Sequence, residues 1–205
     1  MKKLFLLAVF LGSMPLLAQH SSELDKKVEA YLKAHKEKWH DLNVPYEDGQ
    51  LLHDIIVKNG YTAAVEIGTS TGHSTIWLAW AMSKTGGKVI TLELDENRRK
   101  QALKNLEEAG LSAYVDSRLG NAHEIVKQLS GPFDFVFSDA DKSWYKQYFV
   151  DLVPKLKPGG CYTTHNVKDG LAGNDYLQFV QTHSEFNTTI DRTSSAGVMI
   201  AYKKK

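Results

Sequence analysis

The sequence predicts one α/β domain built on a doubly wound, mostly parallel sheet. From residue 63 to residue 165, short apolar strand patterns alternate with helical patterns, and two strand patterns joined by a short turn follow near the end. Strands separated by helices of this length form parallel βαβ units with right-handed crossovers. A short turn between strands instead predicts an antiparallel hairpin. The 205 residues, 42% of them hydrophobic, suffice for one domain with its own core.

The elements follow in order from the N-terminus. Apolar residues at helical spacing predict an amphipathic helix from residue 21, and a second helix after residue 48 ends at Gly60, so that 21–60 forms an N-terminal helical segment. The predicted strands are AAVEI, KVITLEL, AYVDSRL, FDFVFS, CYTTH, FNTTID and GVMIAYK. The predicted helices between them begin near residues 74, 96, 122, 143 and 174.

The first residues have the pattern of a secretory signal peptide. Lys2 and Lys3 precede an apolar stretch, and the small residue Ala18 stands at a suitable cleavage point. We therefore expect residues 1–18 to be a leader and residues 19–205 to form one exported domain, periplasmic or secreted. The alternative is an uncleaved membrane anchor, although the apolar stretch is short for a spanning helix. Only in that case would a membrane be a stable partner.

Charge and cysteine content limit the partners. The formal charge is +1, and no basic patch of the kind that binds nucleic acid is present. The one cysteine, Cys161, cannot form an internal disulfide. The amphipathic N-terminal helix could pack on a second subunit, which would give a homodimer, or back on its own domain.

A loop with two glycines follows the first predicted strand. Gly68 and Gly72 permit a tight turn, and Ser74 can cap the next helix. The spacing is G-x-x-x-G, whereas a nicotinamide dinucleotide would need G-x-G-x-x-G. The second strand ends at Glu93, whose carboxylate could accept hydrogen bonds from both hydroxyls of a ribose. Together these features favour a ligand without a pyrophosphate, while an ordinary turn and a solvated strand end are the alternatives.

Polar side chains also end the two central strands that follow. Asp139, Asp141 and Lys142 come after FDFVFS, and His165 ends CYTTH. Taken singly, a surface ion pair and a hydrogen-bonded histidine are the more frequent interpretations. Both sets nevertheless fall at carboxyl ends of adjacent strands, where the ligand sites of such sheets lie. We expect Asp141 to point elsewhere and to make a local hydrogen bond.

Five segments then resemble one family, in the same order along the chain. The segments are NVPYEDGQLL, VEIGTSTGHST, TLELDE, GPFDFVFSDADKSWY and LKPGGCYTTHNV, and the resemblance runs from about residue 42 to the C-terminus. They resemble the S-adenosylmethionine-dependent O-methyltransferases of the catechol and caffeoyl-coenzyme A type. The resemblance implies the class I methyltransferase fold, a seven-stranded sheet of order 3-2-1-4-5-7-6 with strand 7 antiparallel. It further implies an enzyme that methylates a hydroxyl of a small catechol-like phenol.

The resemblance also implies a role for individual residues. Lys142 would be the base, and Asp139, His165 and Asn166 would bind a divalent metal that holds the phenol. Glu93 would bind the ribose, and Asn121 would lie beside the adenine. The residues expected to contact S-adenosylmethionine are Val44, Glu66, Gly68, Ser70, Gly72, Ser74, Glu93, Asn121, Ala122, His123 and Asp139.

His165 departs from the family pattern, which usually has Asp at this position. An imidazole removes one negative charge and shifts preference away from magnesium towards manganese, iron, cobalt or zinc. Three alternatives stay open: a site with a different metal, a weak site, and a metal-free enzyme with His165 or Lys142 as base. Because of His165, a non-catalytic protein that binds S-adenosylmethionine is a further alternative.

Overall fold

The computed structural model describes residues 14–39, 42–168 and 172–205, with side chains from residue 23 onward. Most of the predicted leader therefore lies outside the described residues. The helices are α1 Met14–Ala34, α2 Tyr46–Asn59, α3 His73–Thr85, α4 Glu96–Ala109, α5 Ala122–Gln128, α6 Tyr145–Leu152 and α7 Asn174–Gln181. The strands are β1 Ala63–Ile67, β2 Lys88–Glu93, β3 Val115–Leu119, β4 Phe133–Ser138, β5 Leu156–His165, β6 Phe186–Asp191 and β7 Val198–Lys203.

The seven strands form one sheet of order β3-β2-β1-β4-β5-β7-β6. Strands β1 to β5 pair in parallel, and β7 runs antiparallel to both β5 and β6. The predicted order and the antiparallel seventh strand are thus confirmed. Because β1 to β5 are parallel, their carboxyl ends lie at one edge of the sheet, and the loops after them can share a site.

Apolar side chains cover both faces of the sheet. Phe135 and Phe137 of β4 lie on the face packed by α1 to α4, whereas Val136 lies on the face packed by α5 to α7. This alternation is the two-residue period of a strand. Tyr145 and Tyr148 of α6 are buried in this core.

The junction between α6 and β5 differs from the prediction. Helix α6 ends at Leu152, and a 3-10 helix with Pro154 near its start follows. Strand β5 begins at Leu156 instead of Cys161, and its pairing with β4 shifts register between Phe133 and Phe135. The shift places extra β5 residues in a bulge, which a strand pattern alone does not reveal.

Helix α1 begins at Met14 and so includes the last residues of the predicted leader. Among the described residues, no helix combines the length and the apolar composition needed to cross a bilayer.

Candidate functional site

A cavity of about 680 Å³ lies at the carboxyl edge of the sheet, among the loops that follow β1 to β5. Its volume falls within the range of about 300 to 1,000 Å³ that is typical of small-molecule sites. Most of the predicted site residues line it: Gly68, Ser70, Glu93, Asn121, Ala122, His123, Asp139, Lys142, His165 and Asn166. The parallel topology therefore brings together residues that are up to about a hundred positions apart in the chain.

The carboxylate of Glu93 is fixed by backbone amides. Its Oε2 accepts a hydrogen bond from the Ser70 N–H at 2.7 Å. Its Oε1 accepts hydrogen bonds from the backbone N–H groups of Leu94 and Asp95, both at 2.9 Å. These bonds hold a carboxylate on the cavity wall, where Oε2 can still accept a further hydrogen bond.

Gly68 allows two loops of the site to pack closely. Its φ of +97° lies in the left-handed region, and an added Cβ would stand 2.5 Å from the backbone oxygen of Asp139. A side chain at this position would force apart the loops that follow β1 and β4.

Four predicted cofactor contacts do not line the cavity, namely Val44, Glu66, Gly72 and Ser74. The Ser74 hydroxyl donates to Oε1 of Glu66 at 2.6 Å, and Val44 is buried. Gly72 packs against Ala102 of α4, where an added Cβ would lie 3.1 Å from the alanine Cβ. In the structure these residues support the loop after β1, so their contact with a cofactor stays a prediction.

Glu66 is a fully buried carboxyl group beneath that loop. It accepts hydrogen bonds from the hydroxyls of Ser74, Thr75 and Thr91 at 2.5 to 2.6 Å. Burial raises the pKa of Glu66 to about 7, against the lowering effect of the three hydroxyl donors. The folded protein therefore holds this proton at a pH at which the unfolded chain has lost it.

Glu66→Gln is expected to make stability less dependent on pH. The stabilising effect of the Glu66 proton is complete below about pH 4.5 and is lost as the pH rises through about 7. Over that window the wild type should lose up to about 3 kcal/mol of unfolding free energy relative to Glu66→Gln. Urea unfolding of both proteins at several pH values measures the difference. An exposed control, Glu107→Gln, should follow the wild type, and parallel curves for Glu66→Gln would contradict the assignment.

His123 and Trp144 form a stacked pair beside the cavity. Their ring centroids lie 3.6 Å apart with planes 11° from parallel, and His123 Nε2 lies 3.3 Å from an Asp141 carboxylate oxygen. The other oxygen of Asp141 accepts hydrogen bonds from the backbone N–H and the hydroxyl of Ser143. The local hydrogen bond predicted for Asp141 is therefore confirmed, although this residue also lines the cavity.

The ring of His165 lies between two aspartates, and we call this group the Asp-His-Asp bridge. Its Nδ1 is 3.0 Å from Asp139 Oδ2, and its Nε2 is 2.9 Å from Asp48 Oδ2. His165 is 3% exposed and Asp48 is 1% exposed. Burial lowers the pKa of His165, but the hydrogen bonds and charges of both carboxylates outweigh burial and raise that pKa to about 9.

The predicted metal ligands Asp139, His165 and Asn166 do not fit a divalent cation in this arrangement. An imidazole binds a metal through a free ring nitrogen, whereas both nitrogens of His165 are hydrogen-bonded to carboxylates. In the described ranges, no three His, Cys, Asp or Glu side chains are arranged to hold a metal. The same two hydrogen bonds leave His165 without a free nitrogen to act as a base.

Lys142 begins a 3-10 helix, Lys142–Trp144, in the segment that follows β4, and it lines the cavity. Asn166 follows His165 on the neighbouring strand end, with a left-handed φ of 56°. A lysine and a side-chain amide thus share the part of the cavity nearest β4 and β5.

Asp48 is the member of the Asp-His-Asp bridge that the sequence analysis missed. It lies in the first turn of α2, four positions before Leu52 and seven before Ile55, and all three are buried. A carboxylate on the apolar stripe of an amphipathic helix was the available signal, because it predicts a buried partner.

Comparisons with known proteins agree with this geometry. The sequence profile described as O-methyltransferase matches residues 18–192. A catechol O-methyltransferase from Niastella koreensis is 38% identical over 143 residues, which are 66% of this chain and 64% of that protein. Caffeoyl-CoA O-methyltransferase 1 from Eucalyptus globulus is 31% identical over 130 residues, 61% of this chain and 52% of that protein. The matched part of this chain therefore spans less than two thirds of the length of either relative.

A solved structure resembles most of the chain. It is the O-methyltransferase TomG from Streptomyces achromogenes, involved in tomaymycin synthesis and crystallised in complex with S-adenosylmethionine. The TM-score is 0.75 at 27% identity, and the match covers 93% of this chain and 96% of that one. The predicted family is confirmed, because the profile match covers most of the chain and the strand order agrees with it: the chain belongs to the O-methyltransferase family.

Proposed function

We propose that this chain transfers the methyl group of S-adenosylmethionine to a hydroxyl of a small catechol-like phenol. The observation that carries the proposal is one cavity that presents the amide-fixed carboxylate of Glu93 and, two strands away, the amine of Lys142. Family membership and the S-adenosylmethionine bound by TomG support the cofactor. The name of the Niastella relative supports the acceptor class.

The strand order suggests how the two ligands share the cavity. Along the edge come the turn with Asn121 after β3, Glu93 after β2, Gly68 after β1, and then the Asp139 and Lys142 region after β4. Neighbouring strands lie about 4.8 Å apart, so these groups succeed one another over a distance suited to an extended nucleoside. The adenine would lie near β3, the ribose on Glu93, the methionine part at the Gly68 loop, and the phenol near β4 and β5.

S-Adenosylmethionine supplies, when bound, a methyl group on a positively charged sulfur. Transfer is an in-line displacement that needs a deprotonated oxygen held close to the methyl carbon. The amine of Lys142, acting as the base, takes the proton of the phenol hydroxyl. The freed oxygen electron pair then forms the new C–O bond while the C–S bond breaks, and its electrons stay on sulfur as the neutral thioether. The products are an O-methylated phenol, S-adenosylhomocysteine and protonated Lys142.

An acceptor panel tests the proposal with the purified full-length chain. Catechol, resorcinol, phenol, 2-aminophenol and thiophenol are each incubated with S-adenosylmethionine, and the products are identified by mass spectrometry. We expect catechol to be methylated on oxygen with a kcat/KM at least about tenfold above that of phenol. Binding of S-adenosylhomocysteine without methylation of any hydroxyl would contradict the proposal and would favour a non-catalytic binding protein.

A further inference from the structure

We infer that the Asp-His-Asp bridge takes the place of a divalent cation in this site. In this account methyl transfer proceeds without a metal, and Asp48 is the positioning residue that holds the bridge together. The inference rests on the proposed function, since it concerns how the same cavity holds its acceptor. Four observations carry it: the two hydrogen bonds of the ring, its burial, the orientation of Asp139, and the location of Asp48.

The hydrogen bonds of His165 leave no ligand position for a cation. Both ring nitrogens lie within 3.0 Å of a carboxylate oxygen, and His165 is 3% exposed. A metal could bind His165 only by displacing Asp48 or Asp139 from a nitrogen. Displacing Asp48 would separate a carboxylate that is 1% exposed from the imidazole that balances it, which is unfavourable inside a protein.

Asp139 is turned towards its protein partners. Its Oδ2 contacts His165, and its Oδ1 lies 3.5 Å from the Tyr145 hydroxyl, which belongs to a fully buried side chain. A carboxylate that bound a metal would instead direct its oxygens towards the cation and the acceptor. The ring of His165 therefore performs the structural task of holding the strand ends of β4 and β5 together.

Asp48 extends this connection to α2. It belongs to the first turn of that helix, and Leu42 and Asn43, which precede the helix, line the cavity. The hydrogen bond from His165 to Asp48 joins residues 117 positions apart. Breaking it would loosen the start of α2 against the sheet, and with it the part of the cavity wall that Leu42 and Asn43 form.

Metal binding tests the inference directly. Manganese(II) is titrated into the metal-stripped full-length chain and followed by electron paramagnetic resonance, which measures free manganese without any reaction. We expect no stoichiometric binding up to about 1 mM manganese, and a methyl transfer rate that a chelator changes less than about twofold. Stoichiometric binding at micromolar concentration, or loss of transfer on chelation that manganese restores, would overturn the inference.

His165→Asp supplies the complementary result. The substitution removes the ring and places a carboxylate beside Asp139 and Asn166, an oxygen set that suits magnesium or manganese. The variant is therefore expected to gain manganese binding by at least about tenfold over the wild type in the same titration. Equal and strong binding by wild type and variant would mean that the ring does not exclude the cation.

Asp48→Asn tests the positioning role. The amide keeps the size of the side chain but cannot act as the charged acceptor, so the KM for catechol should rise about tenfold while the dissociation constant for S-adenosylhomocysteine stays unchanged. Asp54→Asn, on the same helix with a carboxylate that is 63% exposed, is the matched control and should leave both values unchanged. Equal losses in acceptor and cofactor binding by Asp48→Asn would indicate a general structural defect and would contradict the positioning role.

Different experimental results would contradict the proposed function and this inference. Absence of methyl transfer to every hydroxyl, with or without added metals, defeats the proposed function, whereas the manganese titration still decides whether the bridge excludes a cation. Transfer that requires a metal leaves the function intact and overturns the inference.

Discussion

Replacing Lys142 by methionine is expected to lower the kcat for catechol methylation by a factor of about 100 to 10,000. Methionine has an unbranched, apolar side chain of similar length but cannot accept a proton. Because Lys142 lies after β4 and the groups proposed to bind the nucleoside lie after β1 to β3, the dissociation constant for S-adenosylhomocysteine should not change. Steady-state kinetics and calorimetric binding separate the two effects.

Lys58→Met is the matched control for this substitution. Lys58 is an exposed lysine near the end of α2 and does not line the cavity. It should leave kcat unchanged. A Lys142→Met enzyme that retains most of its kcat would show that another group takes the proton, and the mechanism proposed for the cavity would then be wrong.

Replacing Glu93 by alanine is expected to weaken binding of S-adenosylmethionine by about 100-fold. The wild-type carboxylate would accept hydrogen bonds from ribose hydroxyls, and each hydrogen bond to a charged group contributes about 1.5 to 3 kcal/mol. The three amides that fix this carboxylate hold it in place before the cofactor arrives, so little ordering is needed on binding. Isothermal titration with S-adenosylhomocysteine measures the loss.

Glu96→Ala provides the comparison for Glu93→Ala. Glu96 lies three residues further along, at the start of α4, and its side chain is 61% exposed and pairs with Lys100. Its removal should alter cofactor affinity by less than about twofold, because an exposed ion pair contributes little. Similar losses in both variants would mean that the effect comes from net charge near the cavity, and the ribose assignment would fail.

The fold could be predicted in detail because its signals are local. Strands β1, β4 and β6 begin and end at the predicted residues, since each is a short apolar or β-branched run between clear breaks. The boundary between α6 and β5 was missed because the β-bulge depends on pairing between distant segments. Periodicity within one segment carries no information about such a register shift.

The candidate site could be predicted only in part, for a related reason. Parallel strands place their carboxyl ends together, so Glu93, Asp139 and His165 could be assigned to one edge without knowledge of side-chain contacts. Which group each side chain contacts depends on tertiary packing. The hydrogen bond between His165 and Asp48 crosses 117 positions, and it changes the chemistry expected of His165 from metal ligand to structural bridge.

Glu66 illustrates the same limit. It lies two positions before Gly68 in sequence and is expected to contact the cofactor, which stays a prediction, and its side chain is buried and does not line the cavity. Glu66 instead receives three hydroxyl donors from below the loop, an arrangement that orients the loop backbone. Sequence position near a binding loop predicts proximity but not the direction of a side chain.

The position of a labelled methyl group tests the central claim most directly. The full-length chain is incubated with catechol and S-adenosylmethionine that carries carbon-13 in its methyl group, and the product is examined by carbon-13 NMR. The account predicts one aryl methoxy signal that grows in equal amount with S-adenosylhomocysteine. Label that appears on a ring carbon, or that remains on S-adenosylmethionine under conditions in which the cofactor is bound, would contradict the claim that this cavity methylates a phenol oxygen.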